Sequence, residues 1–253
     1  MKRAALLLLA GILALVTPAS SETVVAGLSR NAINITANFE GSEILIFGAV
    51  SRNAPAPQGA PLEVIVTVEG PSLPVAVRRK DRRFGIWVNT DAIEVDAAPS
   101  FYAVNTTSPF GNVITQTEDL RHQVSIPRAI RAVGIGVEDG ESFTDALIRI
   151  REAADLYQLN EGGVTLRDET LFDTSVQLPA NLVEGDYRTR IFLTRGGVVI
   201  DVYEQDIAVR KVGLERFIYN LAHDRPLVYG IMSLAIAILA GWLASAVFRY
   251  IRT

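Results

Sequence analysis

Cysteine is absent from the 253-residue chain, and histidine occurs only twice. Without cysteine the chain has no disulfide exchange, no thiol nucleophile and no cysteine-ligated metal or iron–sulfur site. The histidines have acidic neighbours but no nucleophile motif beside them: His122 with Glu118 and Asp119, and His223 with Asp224. We therefore predict that the protein is not an enzyme, and we assign it no catalytic residue and no cofactor.

A surplus of basic residues is also missing. Two of the 24 Lys and Arg residues precede residue 22 and two more follow the C-terminal apolar run, which leaves residues 22–225 with 20 basic and 28 acidic side chains. Nucleic-acid binding needs a basic surface that neutralises phosphates. A region this acidic is therefore not expected to bind nucleic acid.

The N-terminal segment has the three parts of a secretory signal peptide. Lys2 and Arg3 precede an apolar stretch over residues 4–16, and small residues follow at cleavage spacing. We predict that residues 1–21 are a signal peptide, cleaved after Ala19 or Ser21, and that the rest is exported. An uncleaved N-terminal anchor is the alternative, although so short an apolar stretch does not span a bilayer comfortably.

One long apolar run lies near the C-terminus. Residues 227–248 carry no charge and follow Pro226, and at about 1.5 Å per residue they cover about 33 Å, enough for the hydrocarbon core of a bilayer. Arg249 and Arg252 follow the run, and basic residues mark the cytoplasmic end of a span. We predict a single transmembrane helix in the bacterial inner membrane, with the N-terminal region in the periplasm and residues 249–253 in the cytoplasm.

One face of the predicted span consists of small residues. They recur at every fourth position and so share one side of a helix: Ser233, Ala237, Gly241 and Ser245. Small residues let another helix approach closely, and packing drives helix association in lipid. We predict that this stripe packs against a membrane-protein partner or a second copy of the chain; an alanine-rich composition alone is the alternative explanation.

Residues 22–118 carry the pattern of short antiparallel strands. Apolar residues alternate along the chain, as from Leu62 to Val68, and turn residues recur at spacings of about 10 residues. A hairpin is predicted around Lys80 and Asp81. We assign residues 22–118 to a β-sandwich domain.

Residues 119–211 are predicted to form a second β-rich region with one amphipathic helix. Ser142 is a good N-cap, and helical spacing of apolar residues predicts a helix over residues 143–159. Tyr187 opens a strand after a glycine turn and resembles the tyrosine corner of immunoglobulin-like sandwiches, the alternative being a tyrosine that merely starts a strand. Residues 212–226 form a juxtamembrane amphipathic segment. The predicted fold is mainly β, with immunoglobulin-like antiparallel sandwich regions, one amphipathic helix and the C-terminal span.

The densest cluster of charge is basic: Arg78, Arg79, Lys80, Arg82 and Arg83. On a hairpin tip these residues are candidates to contact lipid headgroups or another anionic ligand. A solvated hairpin that discourages edge pairing is the alternative. Trp87 follows on the next predicted strand and is expected to be half-buried.

Acidic residues crowd the predicted start of the helix: Glu138, Asp139, Glu141 and Asp145. Their spacing fits no calcium loop of the EF-hand kind. Carboxylates are also stabilised electrostatically at a helix N-terminus. We therefore predict no metal site.

Short strings along nearly the whole mature chain resemble one family. They are Arg79-Lys80, Gly85-Ile86-Trp87-Val88-Asn89, Phe101-Tyr102-Ala103-Val104, Leu171-Phe172, Leu178-Pro179-Ala180-Asn181, Gly185-Asp186-Tyr187, Tyr229-Gly230 and Gly241-Trp242. In this order they resemble the putative transmembrane protein family of alphaproteobacteria. The resemblance implies a signal peptide, a β-rich periplasmic region and one C-terminal span. Members of this family are often encoded beside permeases of the sulfite-exporter type.

These patterns predict a non-enzymatic, membrane-anchored periplasmic protein that binds or assists a partner. The resemblance implies a sulfite-exporter-type permease as that partner. Two alternatives stay open. One is a periplasmic module that binds an anionic ligand or lipid headgroups through the basic hairpin, and the other is an enzyme of unrecognised type.

Overall fold

The computed structural model describes residues 22–36, 39–53, 55, 57, 59–131 and 140–251, with the backbone alone at 214–217 and 249–251. The predicted signal peptide lies outside the described residues. The chain forms two compact units. The first contains Met1–Asn31 and Glu40–Ala208, and the second contains Ala32–Phe39 and Val209–Thr253.

The described residues form twelve strands and six helices. The strands are β1 (Glu22–Leu28), β2 (Ala32–Ile35), β3 (Ser42–Arg52), β4 (Leu62–Glu69), β5 (Ser72–Arg83), β6 (Ile86–Pro99), β7 (Tyr102–Thr106), β8 (Tyr157–Asn160), β9 (Val164–Arg167), β10 (Leu171–Leu178), β11 (Gly185–Arg195) and β12 (Val198–Lys211). The helices are α1 (Phe110–Val113), α2 (Gln116–His122), α3 (Ile126–Ala129), α4 (Gly140–Glu152), α5 (Leu214–Asp224) and α6 (Pro226–Ile251).

Two larger sheets and one hairpin make up the first unit. In the four-stranded sheet the order is β1-β3-β10-β9, with antiparallel neighbours. In the second sheet β12, β11, β4, β7 and β8 are successive neighbours, and β8 runs parallel to β7 with Tyr157 opposite Tyr102. Strands β5 and β6 form a two-stranded antiparallel sheet of their own.

The core lies on both faces of β4, whose residues are almost all buried. One face meets the four-stranded sheet, where Nδ2 of Asn105 in β7 donates to Oγ1 of Thr174 in β10 at 2.7 Å. The other face is covered by the segment that contains α1, α2 and α3. There the Tyr102 hydroxyl donates to the Val124 carbonyl at 2.8 Å. This segment has no clear periodicity in the sequence, because its helices are too short to show one.

The division predicted at residue 118 does not correspond to a boundary between sheets. Strand β3 pairs with β10 from the other predicted region, with Ile46 opposite Thr174. Strand β4 likewise pairs with β11, with Val66 opposite Ile191. Alternation along the chain indicates where strands lie but not which strands pair. Residues 22–118 and 119–211 therefore share both larger sheets.

The helix predicted over residues 143–159 needs correction at both ends. Helix α4 begins at Gly140, so Ser142 lies inside the helix and is not its N-cap. The helix ends at Glu152, after which Asp155 has a left-handed φ of 57°. A left-handed residue commonly follows a helix C-terminus, because it turns the chain away from the helix axis.

The range predicted for this helix includes Tyr157, but the residue begins strand β8. Its side chain is buried, and its hydroxyl donates to the Pro99 carbonyl at 2.8 Å. Burial and parallel pairing with β7 therefore override the local helical pattern.

Tyr187 makes the hydrogen bond predicted for a tyrosine corner. Its hydroxyl donates to the Val183 carbonyl at 2.9 Å, and the residue is only 1% exposed. Its ring lies against Gly70, where an added Cβ would come within 2.9 Å of the ring atom Cε1. The tyrosine therefore fixes a loop end against the core. Assignment of the sheets to the immunoglobulin-like class stays a prediction.

The second unit contains β2, the end of β12, α5 and α6. The Val212 N–H donates to the Ile35 carbonyl at 2.9 Å, which joins β2 to the residue after β12. Helix α5 occupies the predicted juxtamembrane segment. Helix α6 contains one segment, Pro226–Phe248, that is long and apolar enough to cross a membrane. The predictions of a mainly β chain and of a C-terminal apolar helix are confirmed.

Replacing Tyr187 by Phe should lower the free energy of unfolding by about 1 kcal/mol, because the ring stays buried while the hydrogen bond to Val183 is lost. Denaturation of the full-length protein in detergent, followed by circular dichroism, measures the change. Tyr203→Phe is the matched control, since that hydroxyl donates to the Gln205 side chain in a part-buried position. An equal loss in both variants would contradict a special role for the corner.

The buried tyrosines predict a loss of stability at high pH. Burial raises the pKa of Tyr157 from 10.0 to about 12, although the nearby Arg151 guanidinium opposes the shift. The phenol holds its proton more tightly in the folded chain, so its contribution is complete below pH 10 and is lost as the pH rises towards 12. Denaturation across this window should show the fall in the free energy of unfolding. The fall should be smaller in Tyr157→Phe, and an identical pH profile would contradict the assignment.

Candidate functional site

The hairpin β5–β6 extends the central pair of strands β4 and β7. The Gly70 N–H donates to the Phe101 carbonyl at 2.8 Å, and the Ser100 N–H donates to the Pro71 carbonyl at 3.0 Å. Pairing continues from Ser72 opposite Pro99 to Arg83 opposite Ile86. The root of the hairpin is therefore fixed by the core.

The turn of this hairpin lies at Phe84 and Gly85, not at Lys80 and Asp81 as predicted. Both turn residues have positive φ, 50° at Phe84 and 86° at Gly85. Positive φ at both central positions is typical of the two-residue turns whose twist matches that of paired strands. Lys80 and Asp81 instead continue strand β5, opposite Asn89 and Val88.

Helix α4 packs against the root half of the hairpin. Val77, Ile93 and Val95 of the hairpin are buried there, as are Phe143 and Leu147 of the helix. This contact leaves the outer half of the hairpin without cover, since residues 81–87 are exposed on both faces.

Arg79 is part of the contact between hairpin and helix. Its guanidinium carbon lies 4.6 Å from the centroid of the Phe143 ring, and Nη2 donates to the Ser142 hydroxyl at 2.9 Å. Alternation along β5 places Arg79 on the same face as Val77. All five predicted anionic contacts have exposed positions, namely Arg78, Arg79, Lys80, Arg82 and Arg83, and Arg79 is in addition a tether to α4.

The tip of the hairpin carries three exposed apolar side chains. Phe84 is fully exposed, Ile86 is 65% exposed and Trp87 is 69% exposed. The prediction that Trp87 is half-buried is therefore wrong, because no element covers the tip among the described residues. Trp87 lies opposite Arg82, and Ile86 lies opposite Arg83. Each face of the tip thus combines one apolar and one basic side chain.

Sequence reasoning did not single out Phe84 and Ile86. The sequence signal for the observed turn is the pair Phe84-Gly85, which lies between two charged residues and an apolar run. Glycine favours a two-residue turn, but phenylalanine at the preceding position does not. The charged Lys80 and Asp81 looked more like a turn than this pair did.

The acidic cluster at the helix is described only in part. Glu138 and Asp139 lie outside the described residues, and Glu141 and Asp145 are exposed. Within the ranges that the structure covers, no group of three His, Cys, Asp or Glu side chains is arranged to hold a metal ion.

His122 and Glu118 belong to a structural network. Nε2 of His122 lies 3.5 Å from Glu118, and Nη1 of Arg121 lies 2.9 Å from the same carboxylate. Nη1 of Arg190 donates to the His122 carbonyl at 2.7 Å. These contacts hold α2 against β11. His223, the other histidine, stacks on Tyr219 in α5 with ring centroids 4.0 Å apart.

The small-residue stripe lies along the exposed surface of α6: Ser233, Ala237, Gly241 and Ser245. A Cβ added at Gly241 would meet nothing within 4 Å. The Ser233 hydroxyl donates to the Gly230 carbonyl of the same helix at 3.0 Å. This hydrogen bond lets a serine lie in an apolar environment without a water partner.

The comparison with protein families agrees with the apolar helix. The family described as "Putative transmembrane protein (Alph_Pro_TM)" matches residues 23–250. The chain belongs to this family. The resemblance carried by the short strings is confirmed, and the family description agrees with a membrane protein. Among curated proteins no match is found.

Among solved structures the chain is similar to Spo0M, a sporulation control protein from Bacillus subtilis, with 10% identity and a TM-score of 0.28. The alignment covers 81% of this chain and 55% of that chain. This chain therefore spans about half of the length of the solved relative. A similarity this weak carries no argument about fold or function.

Replacing Arg79 by Gln should loosen the root of the hairpin and lower the free energy of unfolding by about 1 kcal/mol, because a cation–π contact and a hydrogen bond are lost. Hydrogen exchange of the full-length protein should show faster exchange in β5, β6 and α4. Arg82→Gln removes the same charge from the exposed half of β5 and should leave exchange at the root unchanged. Equal effects of the two substitutions would contradict the assignment of Arg79 as a tether.

Proposed function

We propose that this family member is a single-pass protein of the bacterial inner membrane that acts by binding a partner protein rather than by catalysis. In this arrangement residues 22–225 face the periplasm and the tail after α6 lies in the cytoplasm. The N-terminal pattern of Lys2, Arg3 and residues 4–16 supports export. Basic residues after the span support a cytoplasmic tail.

The exposure of α6 is the observation that carries the proposal. The apolar window of Pro226–Phe248 is 0% buried within the chain. A helix that is apolar all round is stable in lipid, where its backbone groups are hydrogen-bonded internally. Such a helix anchors the chain and leaves its whole surface available to lipid or to another helix.

The small-residue stripe is the side of α6 best suited to a protein partner. Its side chains are short, and its serine at position 233 is satisfied within the helix. A neighbouring helix can therefore approach the backbone closely and gain packing contacts that lipid tails do not provide. The opposite side presents larger groups such as Leu239 and Met232 among its alanines.

The contacts of His122 and of the buried Glu118 in the first unit favour binding over catalysis. The Glu118 carboxylate forms ion pairs with Arg121 and His122. It also accepts a hydrogen bond from the Val199 N–H at 3.4 Å. These contacts hold secondary structure elements together. The family resemblance favours a sulfite-exporter-type permease as the partner, and a second copy of the chain is the other candidate.

Replacing both Ala237 and Gly241 by Leu should reduce partner association by about tenfold, which corresponds to about 1.4 kcal/mol of lost helix packing. The full-length protein would be crosslinked in its native host, purified in detergent and compared with wild type by quantitative mass spectrometry of the associated membrane proteins.

The matched control is Ala235→Leu with Ala246→Leu, which adds similar volume on the opposite side of α6. This control should keep the associated protein. If the stripe variant and the control retain the same amount of partner, the stripe is not the interface. A loss in both variants would point to general disturbance of the span.

A further inference from the structure

We propose that the tip of the β5–β6 hairpin is a second membrane-binding element, which inserts Phe84, Ile86 and Trp87 between the headgroups of an anionic lipid bilayer. Lys80, Arg82 and Arg83 lie beside these side chains and bind the lipid phosphates. The inference does not depend on the partner proposed for α6. It concerns a different part of the chain and a different ligand.

The apolar side chains of the tip have no partner within the described part of the chain. Residues 81–87 are exposed throughout, and Phe84, Ile86 and Trp87 are adjacent or nearly adjacent at the turn. Exposed apolar clusters of this kind mark interaction sites. Tryptophan in particular prefers the interface between water and hydrocarbon, because its ring is apolar and its N–H is polar.

The charge of the tip complements an anionic surface. Positions 78–83 carry five basic residues and one acid, Asp81, in a region where acids outnumber bases overall. Nε of Arg83 lies 3.8 Å from Asp81, and this acid offsets one of the five positive charges, which leaves positions 78–83 with a net charge of 5 − 1 = +4. Each basic residue close to an anionic bilayer increases binding about fivefold.

The backbone of the turn supports a functional role for Phe84. A φ of 50° is unfavourable for a bulky residue, and the ring gains no packing in return among the residues that the structure describes. Asparagine, aspartate or glycine would adopt this conformation with less strain. Strained residues of this kind cluster at ligand-binding positions, where the strain serves to present a side chain.

A bilayer fits the tip better than a protein surface does. One face of the tip presents Arg82 opposite Trp87, and the other presents Arg83 opposite Ile86. A headgroup layer surrounds an inserted tip on all sides and therefore meets both of these faces at once. The apolar segment Pro226–Phe248 also tethers the same chain to a bilayer, which raises the local concentration of lipid.

The test uses the fluorescence of Trp87. The chain has two tryptophans, so Trp242→Phe leaves Trp87 as the reporter in the full-length protein. This variant is reconstituted into vesicles of phosphatidylcholine alone or mixed with phosphatidylglycerol. We expect Trp87 emission to shift to shorter wavelength, and to be quenched by lipids brominated near the headgroup, in the phosphatidylglycerol vesicles only.

Two tip variants should reverse these signals while the far-UV circular dichroism stays unchanged. Arg82→Gln with Arg83→Gln should lower the ratio of inserted to free tip about 25-fold, at about fivefold per charge. Phe84→Ser with Ile86→Ser should lower it at least about tenfold, because apolar area is no longer removed from water.

Matched controls change similar groups elsewhere in the first unit. Arg128→Gln with Arg149→Gln removes two exposed charges, and Val25→Ser with Leu171→Ser removes two apolar side chains that are 62% and 55% exposed. Both controls should behave as wild type. Loss of the Trp87 signals in the controls as well as in the tip variants would overturn the proposal.

Three other results would also overturn it. Trp87 could stay fully accessible to acrylamide in both kinds of vesicle, which would leave the tip in water. Soluble glycerol phosphate could produce the same shift without a bilayer, which would indicate a free anionic ligand. Protection of Trp87 that requires an added membrane protein would indicate a protein partner instead.

Discussion

Two antiparallel pairings between distant parts of the chain hold the β-rich unit together. β3 pairs with β10, and β4 pairs with β11. Each pairing closes a loop of more than 100 residues, so chain entropy opposes it until apolar side chains are buried on both sides. Ile46 and Val66 lie in these pairs and are buried. The remaining elements, including the hairpin, depend on the frame that these pairs create.

The hairpin shows how a peripheral element takes its geometry from this frame. β5 continues from β4, and β6 leads into β7, so the pairing of the two central strands fixes the root of the hairpin. Further out, the register shifts between Leu73 and Val75 and again between Arg79 and Lys80. Val77 and Ile93 then face α4 and become buried. Alternation then continues along β5, but the register shift between Arg79 and Lys80 changes the alternation of β6 at that point. The turn falls at Phe84 and Gly85 although the local sequence favours Lys80 and Asp81.

The parts of the fold that depend on local pattern were predictable. Leu62 to Val68 is a strand, and the apolar run after Pro226 is a helix, because alternation and length decide those elements. The pairing of β3 with β10 and the parallel strand at Tyr157 were not predictable. Both depend on contacts between residues far apart in sequence, which no single-sequence pattern records.

The same distinction applies to the candidate site. In the sequence the basic residues from Arg78 to Arg83 look equivalent. Arg79, however, lies two residues after Val77 and therefore on the same face of β5, where its side chain contacts Phe143. The prediction of a basic surface did not distinguish Arg79 from its basic neighbours. It also omitted Phe84, because a bulky residue at positive φ breaks the rule from which turns are predicted.

A weak contact at the hairpin tip is sufficient for a chain that is already anchored. Tethering turns a second contact into an intramolecular event, with effective concentrations of about a millimolar for short flexible connections. A tip with only millimolar affinity for lipid can then contribute to membrane binding. Three apolar side chains and a few basic residues supply affinity of that order, and a larger surface would bring the aggregation risk of an exposed apolar patch. The small size of the tip is therefore consistent with its proposed role, and its dependence on charge makes the contact sensitive to ionic strength.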